Sequence, residues 1–314
     1  MEQEFKAPNP RRPSLRISLQ MVCAVASSLL LASTVMAQRD FSNVSIKTTD
    51  LGNGIYMMTG AGGNLGVSAG EDGVFLVDDQ FAPLTEKIRA AIGKVSQEPI
   101  RFVINTHWHG DHTGGNENLG SSGSVIVAHD NVRERMSTEQ FIKHFGRQVP
   151  PSPKAALPVI TYDDSLTFHL NGQTIHAFHV PPAHTDGDSV VHFKEGNVVH
   201  MGDLFFNGGY PFIDTSSGGN IDGVIAAGKR VLALADAKTQ IIPGHGPLAD
   251  KKTLESYVKM LETVHDGIRP LVDAGKTRDE VVAAAPTSAL DEVWGQGFIK
   301  PADFAGIVYD GMKQ

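Results

Sequence analysis

Residues 107–112 read His107-Trp108-His109-Gly110-Asp111-His112 and place three imidazoles and one carboxylate within six residues. The segment directly follows an apolar run at 101–105 that is typical of a strand, and Gly110 favours a loop at the end of that strand. Ligands and catalytic groups usually lie in loops that a rigid scaffold holds in place. The stretch therefore predicts a metal site at a strand end.

The spacing within this segment indicates two ions. Side chains of alternate residues in an extended chain point to the same side, so His107 and His109 can bind one ion. Asp111 and His112 follow Gly110, where the chain can turn toward a second ion. Imidazole and carboxylate ligands without thiolate favour Zn²⁺, with iron or manganese as substitutes. A lone histidine would be interpreted as a packing residue, but a cluster of this density would not.

Three later residues complete the predicted site. His184 lies in a loop after a strand, Asp203 in the turn after the strand at 197–201, and His245 in the Gly-His-Gly loop at 244–246. Each of them lies at a strand end. If the strands form two sheets with helices outside, one end of the sheets collects all the ligands.

In this order the motifs resemble the metallo-β-lactamase superfamily, over residues 51–248. The resemblance implies an α/β fold class (α+β in some schemes), built as a four-layer αββα sandwich. It also implies two zinc ions per chain. By position in the motifs, the first ion would be bound by His107, His109 and His184, the second by Asp111, His112 and His245, and both by a bridging Asp203.

Two positions argue against a specialised β-lactamase. The dedicated β-lactamases of this superfamily usually carry Cys or Ser where this chain has Asp203, and the cysteine-bearing ones place a substrate-binding Lys where it has Phe206. The resemblance therefore favours a metallo-hydrolase in general, with weak or efficient β-lactamase activity as an alternative.

The expected reaction is hydrolysis of an ester, lactone, amide or β-lactam bond in a small-molecule substrate. Two ions that share a water lower its pKa and supply hydroxide near neutral pH. Asp111 is the predicted catalytic residue, since it would orient this water and pass its proton to the leaving group. Two other hypotheses are an iron-dependent oxidoreductase of the persulfide dioxygenase type, and a binding protein that kept the fold but lost the chemistry.

Several residues near the motifs have two interpretations each. Asp78 resembles the acid that supports the metal loop in the family, with Asp79 as the other candidate and a turn or capping role as the alternative. His179 and His200 lie in strands next to the site and are candidates for contact with the ligands. An aromatic loop follows Asp203 and either lines a substrate cleft or anchors the loop in the core; its members are Phe205, Phe206, Tyr210 and Phe212.

Hydrophobic periodicity and turn residues predict the remaining elements. Helices are expected at 83–95, 113–119 with Thr113 as N-cap, 130–136, 221–234, 251–266 and 277–285, and the C-terminal tail is not assigned. No linker interrupts the chain, so residues 38–314 are predicted to form a single domain.

The N-terminus predicts export. Arg11, Arg12 and Arg16 precede an apolar run at 17–31 and the small residues that end at Ala37, which is the pattern of a cleaved signal peptide at residues 1–37. The arginine pair is a partial twin-arginine pattern, so the export route stays open. A periplasmic or secreted location is expected.

Composition excludes other classes of function. Of 314 residues, 41% are hydrophobic and 20% are charged, as in ordinary globular proteins. Removing residues 1–37 takes away four basic and two acidic residues, which changes the formal charge from −8 to −10. Such a protein is a poor candidate for binding nucleic acid or an anionic membrane. Its one cysteine, Cys23, lies in the signal, so metal ligands must be His, Asp or Glu. The oligomeric state cannot be predicted.

Overall fold

Two β-sheets lie face to face in the structure, a computed structural model that describes residues 40–313. The predicted signal peptide lies outside the described residues. In chain order the strands are β1 (Lys47–Gly52), β2 (Ile55–Thr59), β3 (Leu65–Gly70), β4 (Gly73–Val77), β5 (Ile100–Ile104), β6 (Val125–His129), β7 (Gln140–Ile142), β8 (Arg147–Val149), β9 (Ile160–Tyr162), β10 (Ser165–Leu170), β11 (Gln173–His179), β12 (Ser189–Phe193), β13 (Val198–His200), β14 (Gln240–Ile242) and β15 (Ala249–Asp250).

The first sheet has the strand order β1-β2-β3-β4-β5-β6-β9, and the second has the order β10-β11-β12-β13-β14-β15. In the first, β1 to β4 pair antiparallel, while β4, β5, β6 and β9 run parallel. The second is antiparallel except for the parallel pair β13 and β14. Strands β7 and β8 form a separate hairpin.

Helices connect the parallel strands and cover the sheets. They are α1 (Thr85–Ile92), α2 (Gly110–Thr113), α3 (Asn116–Ser121), α4 (Asp130–Ser137), α5 (Ile221–Leu234), α6 (Lys251–Asp273), α7 (Arg278–Ala283), α8 (Asp291–Trp294) and α9 (Pro301–Met312). Within residues 40–313, no helix is both long enough and apolar enough to cross a membrane.

Strand β4 shows how the layers form, because it is buried on both faces. Alternate side chains of a strand point to opposite faces. Phe75 and Val77 point between the sheets and share a core with Val191 of β12. Val74 and Leu76 point the other way and pack under α1.

The other outer layer is formed by α5 and α6, which cover the second sheet. Val224 of α5 and Leu261 of α6 share a core with Val190 and Val199 of the sheet. The order of the layers is therefore helix, sheet, sheet, helix. The predicted four-layer αββα sandwich is confirmed, and the helix predicted at 221–234 has the bounds of α5.

The helix predicted at 113–119 is present in part, but its predicted start is wrong. Thr113 does not cap it; it ends α2, and its Oγ1 donates to the carbonyl oxygens of Trp108 and His109. A second helix, α3, begins only at Asn116. Gly114 and Gly115 lie between the two helices and pack so closely that a Cβ would come within 2.7 Å and 3.0 Å of neighbouring atoms.

The C-terminal third contains more helix than predicted. Helix α6 continues past the expected end at residue 266 to Asp273, with Pro270 inside it. Proline removes one backbone donor and disfavours a helix interior, but Ile268 and Val272 are buried in this last part. The tail that was not assigned forms α8 and α9, and α9 buries Phe304 against the core.

The inter-sheet core offers a test of this packing. Phe75 is fully buried and lies within 6.5 Å, between ring centroids, of Phe102, Phe168 and Phe193. We expect Phe75→Ala to lower the free energy of unfolding by about 3–5 kcal/mol, because it leaves a cavity between the sheets. Urea denaturation measures this change.

Phe141 is a matched control, since it is 53% exposed. Phe141→Ala should change the same free energy by no more than about 0.5 kcal/mol. Equal effects of the two substitutions would contradict the described core.

Candidate metal centre

The predicted ligands come from the ends of four strands. His107, His109, Asp111 and His112 follow β5, and the later three, His184, Asp203 and His245, follow β11, β13 and β14. These strands belong to both sheets, and their ends meet at one edge of the sandwich. The structure brings all seven residues together in two adjoining groups.

The first group is buried. It consists of His107, His109, His184 and Asp203, whose ligand atoms all lie within 4.8 Å of one another. His109 Nδ1 lies 2.9 Å from His184 Nε2. A cation between such nitrogens and a carboxylate would satisfy all of them at once.

The second group faces the solvent. Asp111, His112 and His245 also place their ligand atoms within 4.8 Å of one another. His112 is fully buried, but the side chains of Asp111 and His245 are 26% and 31% exposed. The centre is therefore accessible to solvent from the side of Asp111 and His245.

Asp203 lies between the two groups and presents one oxygen to each. Its Oδ1 is 3.0 Å from His112 Nε2 and 3.3 Å from His245 Nε2. Its Oδ2 is 3.5 Å from His184 Nε2 and 3.8 Å from His107 Nε2. This is the placement expected of a carboxylate that bridges two ions.

Unpaired polar atoms test whether the site fits metal. His107 Nε2, His112 Nε2 and Asp203 Oδ1 are buried and have no hydrogen-bond partner among the described residues. His112 Nε2 and Asp203 Oδ1 are close, but their geometry is not that of a hydrogen bond. Buried polar atoms without partners are rare and costly. The donor set, imidazole nitrogens and carboxylate oxygens, fits zinc or another transition metal.

The other nitrogen of each buried imidazole is already used. It donates to a protein oxygen, which orients the ring and turns the remaining nitrogen toward the centre. The donor and acceptor pairs are His112 Nδ1 with Asp78 Oδ2 at 2.7 Å, His184 Nδ1 with the Phe212 carbonyl at 2.8 Å, His109 Nε2 with Asp214 Oδ2 at 3.1 Å and His107 Nδ1 with Thr106 Oγ1 at 3.1 Å.

Burial and charge set the protonation of the first group. Burial lowers the pKa of His107 and brings that of His184 to about 4, which favours the neutral imidazoles that bind metal. Burial also acts to raise the pKa of Asp203, but His245 and His112 outweigh it and hold that pKa well below its usual range. The carboxylate of Asp203 is therefore ionised.

The second group behaves differently. Burial acts to lower the pKa of His112 and His245, but the nearby carboxylates, Asp203 foremost, raise both above the ordinary value. The negative charge that holds a proton on these imidazoles is the charge that would attract a cation in its place.

The carboxylate of Asp78, rather than that of Asp79, contacts the metal loop; Asp79 reaches this loop only through its backbone N–H, which donates to the carbonyl of His112 at 2.9 Å. Besides the bond to His112, the Asp78 carboxylate accepts from the backbone N–H of Thr106 at 2.7 Å and from Thr106 Oγ1 at 2.8 Å. Asp78 adopts a left-handed backbone with φ of 60°. Asp79 instead accepts from the N–H of Gly115, and burial raises its pKa well above the usual range.

Sequence reasoning missed two acidic residues. Asp214 holds His109 and accepts from the hydroxyls of Ser216 and Ser217. Asp188 accepts from the backbone N–H of His184 and so fixes the loop that carries it. Asp188 could have been found from sequence, because it is the second acidic residue after His184. Asp214 lies in no recognisable sequence motif.

The two additional histidines have different positions. His200 is buried, accepts from the N–H of Gly202 and contacts the carbonyl of Asn64, so it supports the turn that carries Asp203. His179 stacks on His129 with ring centroids 3.7 Å apart. It does not appear in either ligand group.

The aromatic loop divides between core and site. Phe205 and Tyr210 are buried in the core. Phe206 stacks on His245 with centroids 5.0 Å apart, and Phe212 lies 5.8 Å from the ring of His184. Phe212 is also buried in that core, so the anchoring interpretation is confirmed for three of the four residues. The lining of a substrate cleft stays a prediction.

Comparisons with known proteins agree with the geometry. The family model described as the metallo-beta-lactamase superfamily matches residues 59–248, more than half of the chain. The chain is similar to a hydroxyacylglutathione hydrolase from Nitrosococcus oceani, with 29% identity over 164 residues. It is also similar to a linear primary-alkylsulfatase from a Pseudomonas species, with 22% identity over 251 residues.

These matches cover 52% and 67% of this chain, and 55% and 47% of the two relatives. The chain thus spans about half the length of each. Among solved structures, the DIM-1 metallo-beta-lactamase matches 70% of this chain and 99% of its own, with 20% identity and a TM-score of 0.57. A metallo-beta-lactamase from Pontibacter korlensis has the same TM-score at 18% identity. At such identities the likeness shows a common fold.

The contact between Asp78 and His112 can be tested through metal affinity. We expect Asp78→Asn to weaken Zn²⁺ binding by about 10–100-fold, because the imidazole loses the carboxylate that orients it. Competition with a chromophoric chelator measures the affinity, and circular dichroism checks the fold.

Asp79→Asn is the control, since it makes the same change at the adjacent buried carboxyl. It should leave the affinity nearly unchanged. A larger loss from Asp79→Asn than from Asp78→Asn would contradict the assignment.

Proposed function

The chain belongs to the metallo-β-lactamase superfamily, and from this we propose that it is an exported hydrolase that binds two zinc ions and cleaves an ester, lactone, amide or β-lactam bond. The observation that supports this most directly is the position of Asp203, with one carboxylate oxygen toward each group of histidines. A hydrolase is also the class that the name of the relative from Nitrosococcus oceani states.

The proposed ligands follow the two groups. His107, His109 and His184 would hold one ion, Asp111, His112 and His245 would hold the other, and Asp203 would bind both. When bound, such ions act as Lewis acids and bring the pKa of a water at the site close to neutral.

Asp111 is the proposed catalytic residue. Its carboxylate is partly exposed at the mouth of the site, with Oδ2 3.4 Å from His245 Nε2 and 3.8 Å from His112 Nε2. At this position it can accept a hydrogen bond from the attacking water and deliver the proton to the leaving group. Phe206 covers one side of His245 and helps to exclude other water.

A combined measurement tests the function. Metal analysis of the purified protein should give two zinc ions per chain. A panel of an ester, a lactone, an amide and a β-lactam should show turnover of at least one compound. One iron per chain without hydrolysis would instead favour the oxidoreductase hypothesis, and two zinc ions without any turnover would favour a binding protein.

Export is tested separately by the N-terminus of the protein recovered from cells. We expect the chain to begin at Gln38, directly after Ala37. A chain that retains Met1 in the cytoplasm would contradict export.

The role of Asp111 gives a direct prediction. Asp111→Asn should lower kcat/KM by at least about 10²-fold, because the side chain can no longer take up a proton. The matched control is Asp222→Asn, at an exposed aspartate of α5 that lies outside the ligand groups. It should keep full activity. If Asp111→Asn were as active as the unmodified protein on the best substrate of the panel, the proposed mechanism would be wrong.

A further inference from the structure

An aromatic surface runs from the solvent to the buried ligand group. Phe298 and Phe145 are 79% and 43% exposed, and their ring centroids lie 5.8 Å apart. Phe145 lies 4.8 Å from Phe212, and Phe212 lies 5.8 Å and 5.9 Å from His184 and His109. Large apolar side chains exposed in a contiguous patch usually mark a binding surface.

The hairpin that carries Phe145 is connected to the ligand His109 by hydrogen bonds. Its tip, the turn Lys143–Phe145 between β7 and β8, donates the N–H of Lys143 to Ser216 Oγ at 3.1 Å. Ser216 Oγ donates to Asp214 Oδ1, and the other oxygen of Asp214 accepts from His109 Nε2. The hairpin is therefore fixed relative to the metal centre.

A second connection runs to the loop of His184. Arg135 of α4 donates to Gln140 in β7 at 3.0 Å. The same guanidinium makes a two-point contact with Asp186, with both distances 2.6 Å. Paired contacts of this kind are among the strongest and most directional in proteins. The aromatic hairpin is thus connected to Asp214, which orients His109, and to the loop that carries His184.

Phe298 is also held next to the site. The adjacent Ile299 forms a β-bridge with Tyr210, in the loop that carries Phe206 and Phe212. A Cβ on Gly209 would lie 3.3 Å from the Cα of Gly297, so the two segments touch through their backbones.

We propose that Phe145, Phe212 and Phe298 form an apolar subsite that binds an aromatic or extended alkyl group on the acyl side of the substrate. The inference rests on the proposed hydrolase function and adds the class of substrate. The favoured compounds are esters or amides that carry such a group a few atoms from the reacting carbonyl, rather than acetyl compounds.

The size of the surface favours a small molecule over a macromolecule. An aromatic side chain buries about 150–250 Å², so the two exposed rings, Phe145 and Phe298, together with the largely buried Phe212 offer roughly a few hundred Å² at most. A stable protein interface needs about 800 Å² on each partner. The contacts of Phe212 with His109 and His184 also connect the patch to the proposed metal centre, where the reacting bond would lie.

The test compares two ethyl esters that have the same leaving group, ethyl 4-phenylbutyrate and ethyl acetate. Both are assayed with the zinc-loaded full chain. We expect Phe145→Ala and Phe298→Ala each to lower the ratio of kcat/KM for the phenyl ester over the acetyl ester by about tenfold, the effect of losing most of the burial of one ring. Phe141→Ala is the control, because Phe141 lies on the same hairpin but has no aromatic ring near it among the described residues. It should leave the ratio unchanged.

The affinity of the same proteins for neutral 4-phenylbutyramide, measured by calorimetry, tests the subsite without any turnover. Phe145→Ala and Phe298→Ala should weaken this binding, and Phe141→Ala should not. If no ester is cleaved but the amide binds in this way, the subsite is supported and the hydrolase function fails.

If the esters are cleaved while both the ratio and amide binding are unchanged in the variants, the subsite is overturned and the hydrolase function stands. Two other results, each with unchanged amide binding, would also overturn the subsite. If the variants lose a dimer in sedimentation, the patch binds a second copy of the chain. If they lose binding to phosphatidylcholine vesicles, the patch binds a membrane.

Discussion

The structure is organised around imidazoles that are buried side by side with their free nitrogens facing one another. His109 Nδ1 and His184 Nε2 are 2.9 Å apart, and the opposite nitrogen of each ring already donates a hydrogen bond to the protein. These two nitrogens can share at most one hydrogen bond, and His107 Nε2, His112 Nε2 and Asp203 Oδ1 have no hydrogen-bond partner among the described residues. So many buried polar atoms with too few partners are unfavourable unless a cation binds among them. The loops that carry these rings lie at the same edge of the two packed sheets, and the αββα core fixes the positions of the loops.

The ligands themselves could be predicted from sequence, whereas the residues that orient them largely could not. His107 to His112 are adjacent in the chain, and the later ligands lie in short motifs at strand ends. Apart from Thr106, which is next to His107, the acceptors of their outer nitrogens come from other segments, and among these only Asp78 was a candidate from sequence. Asp214 meets His109 across 105 residues, and the acceptor for His184 is the carbonyl of Phe212, a group that every residue possesses. Such contacts depend on tertiary structure and leave no local pattern.

The same distinction explains which elements of the fold were predicted. Helix α5 has a clear apolar face and conventional ends, and its bounds agree with the pattern. Helix α6 contains Gly267 and Pro270, which locally favour an end, yet it continues because Ile268 and Val272 gain burial against the core. In α9 the glycines at 306 and 311 weaken the helical pattern, while Phe304 and Ile307 are buried by contacts with distant helices. Tertiary burial outweighed local preference in both cases.

The two ligand groups differ in exposure, so the site has an open side and a buried side. The group that contains Asp111 and His245 is open to solvent, whereas the group of His109 and His184 is covered by Phe212. Asp111 and Phe206 therefore lie at the open side, whereas at the buried side Phe212 contacts the more exposed Phe145. Since the hairpin of Phe145 is hydrogen-bonded through Ser216 and Asp214 to His109, the position of the apolar surface and the position of the ligand are not independent. In the proposed hydrolase, the hydrogen bonds that orient His109 therefore also hold the hairpin of Phe145 at a set distance from the bond to be cleaved.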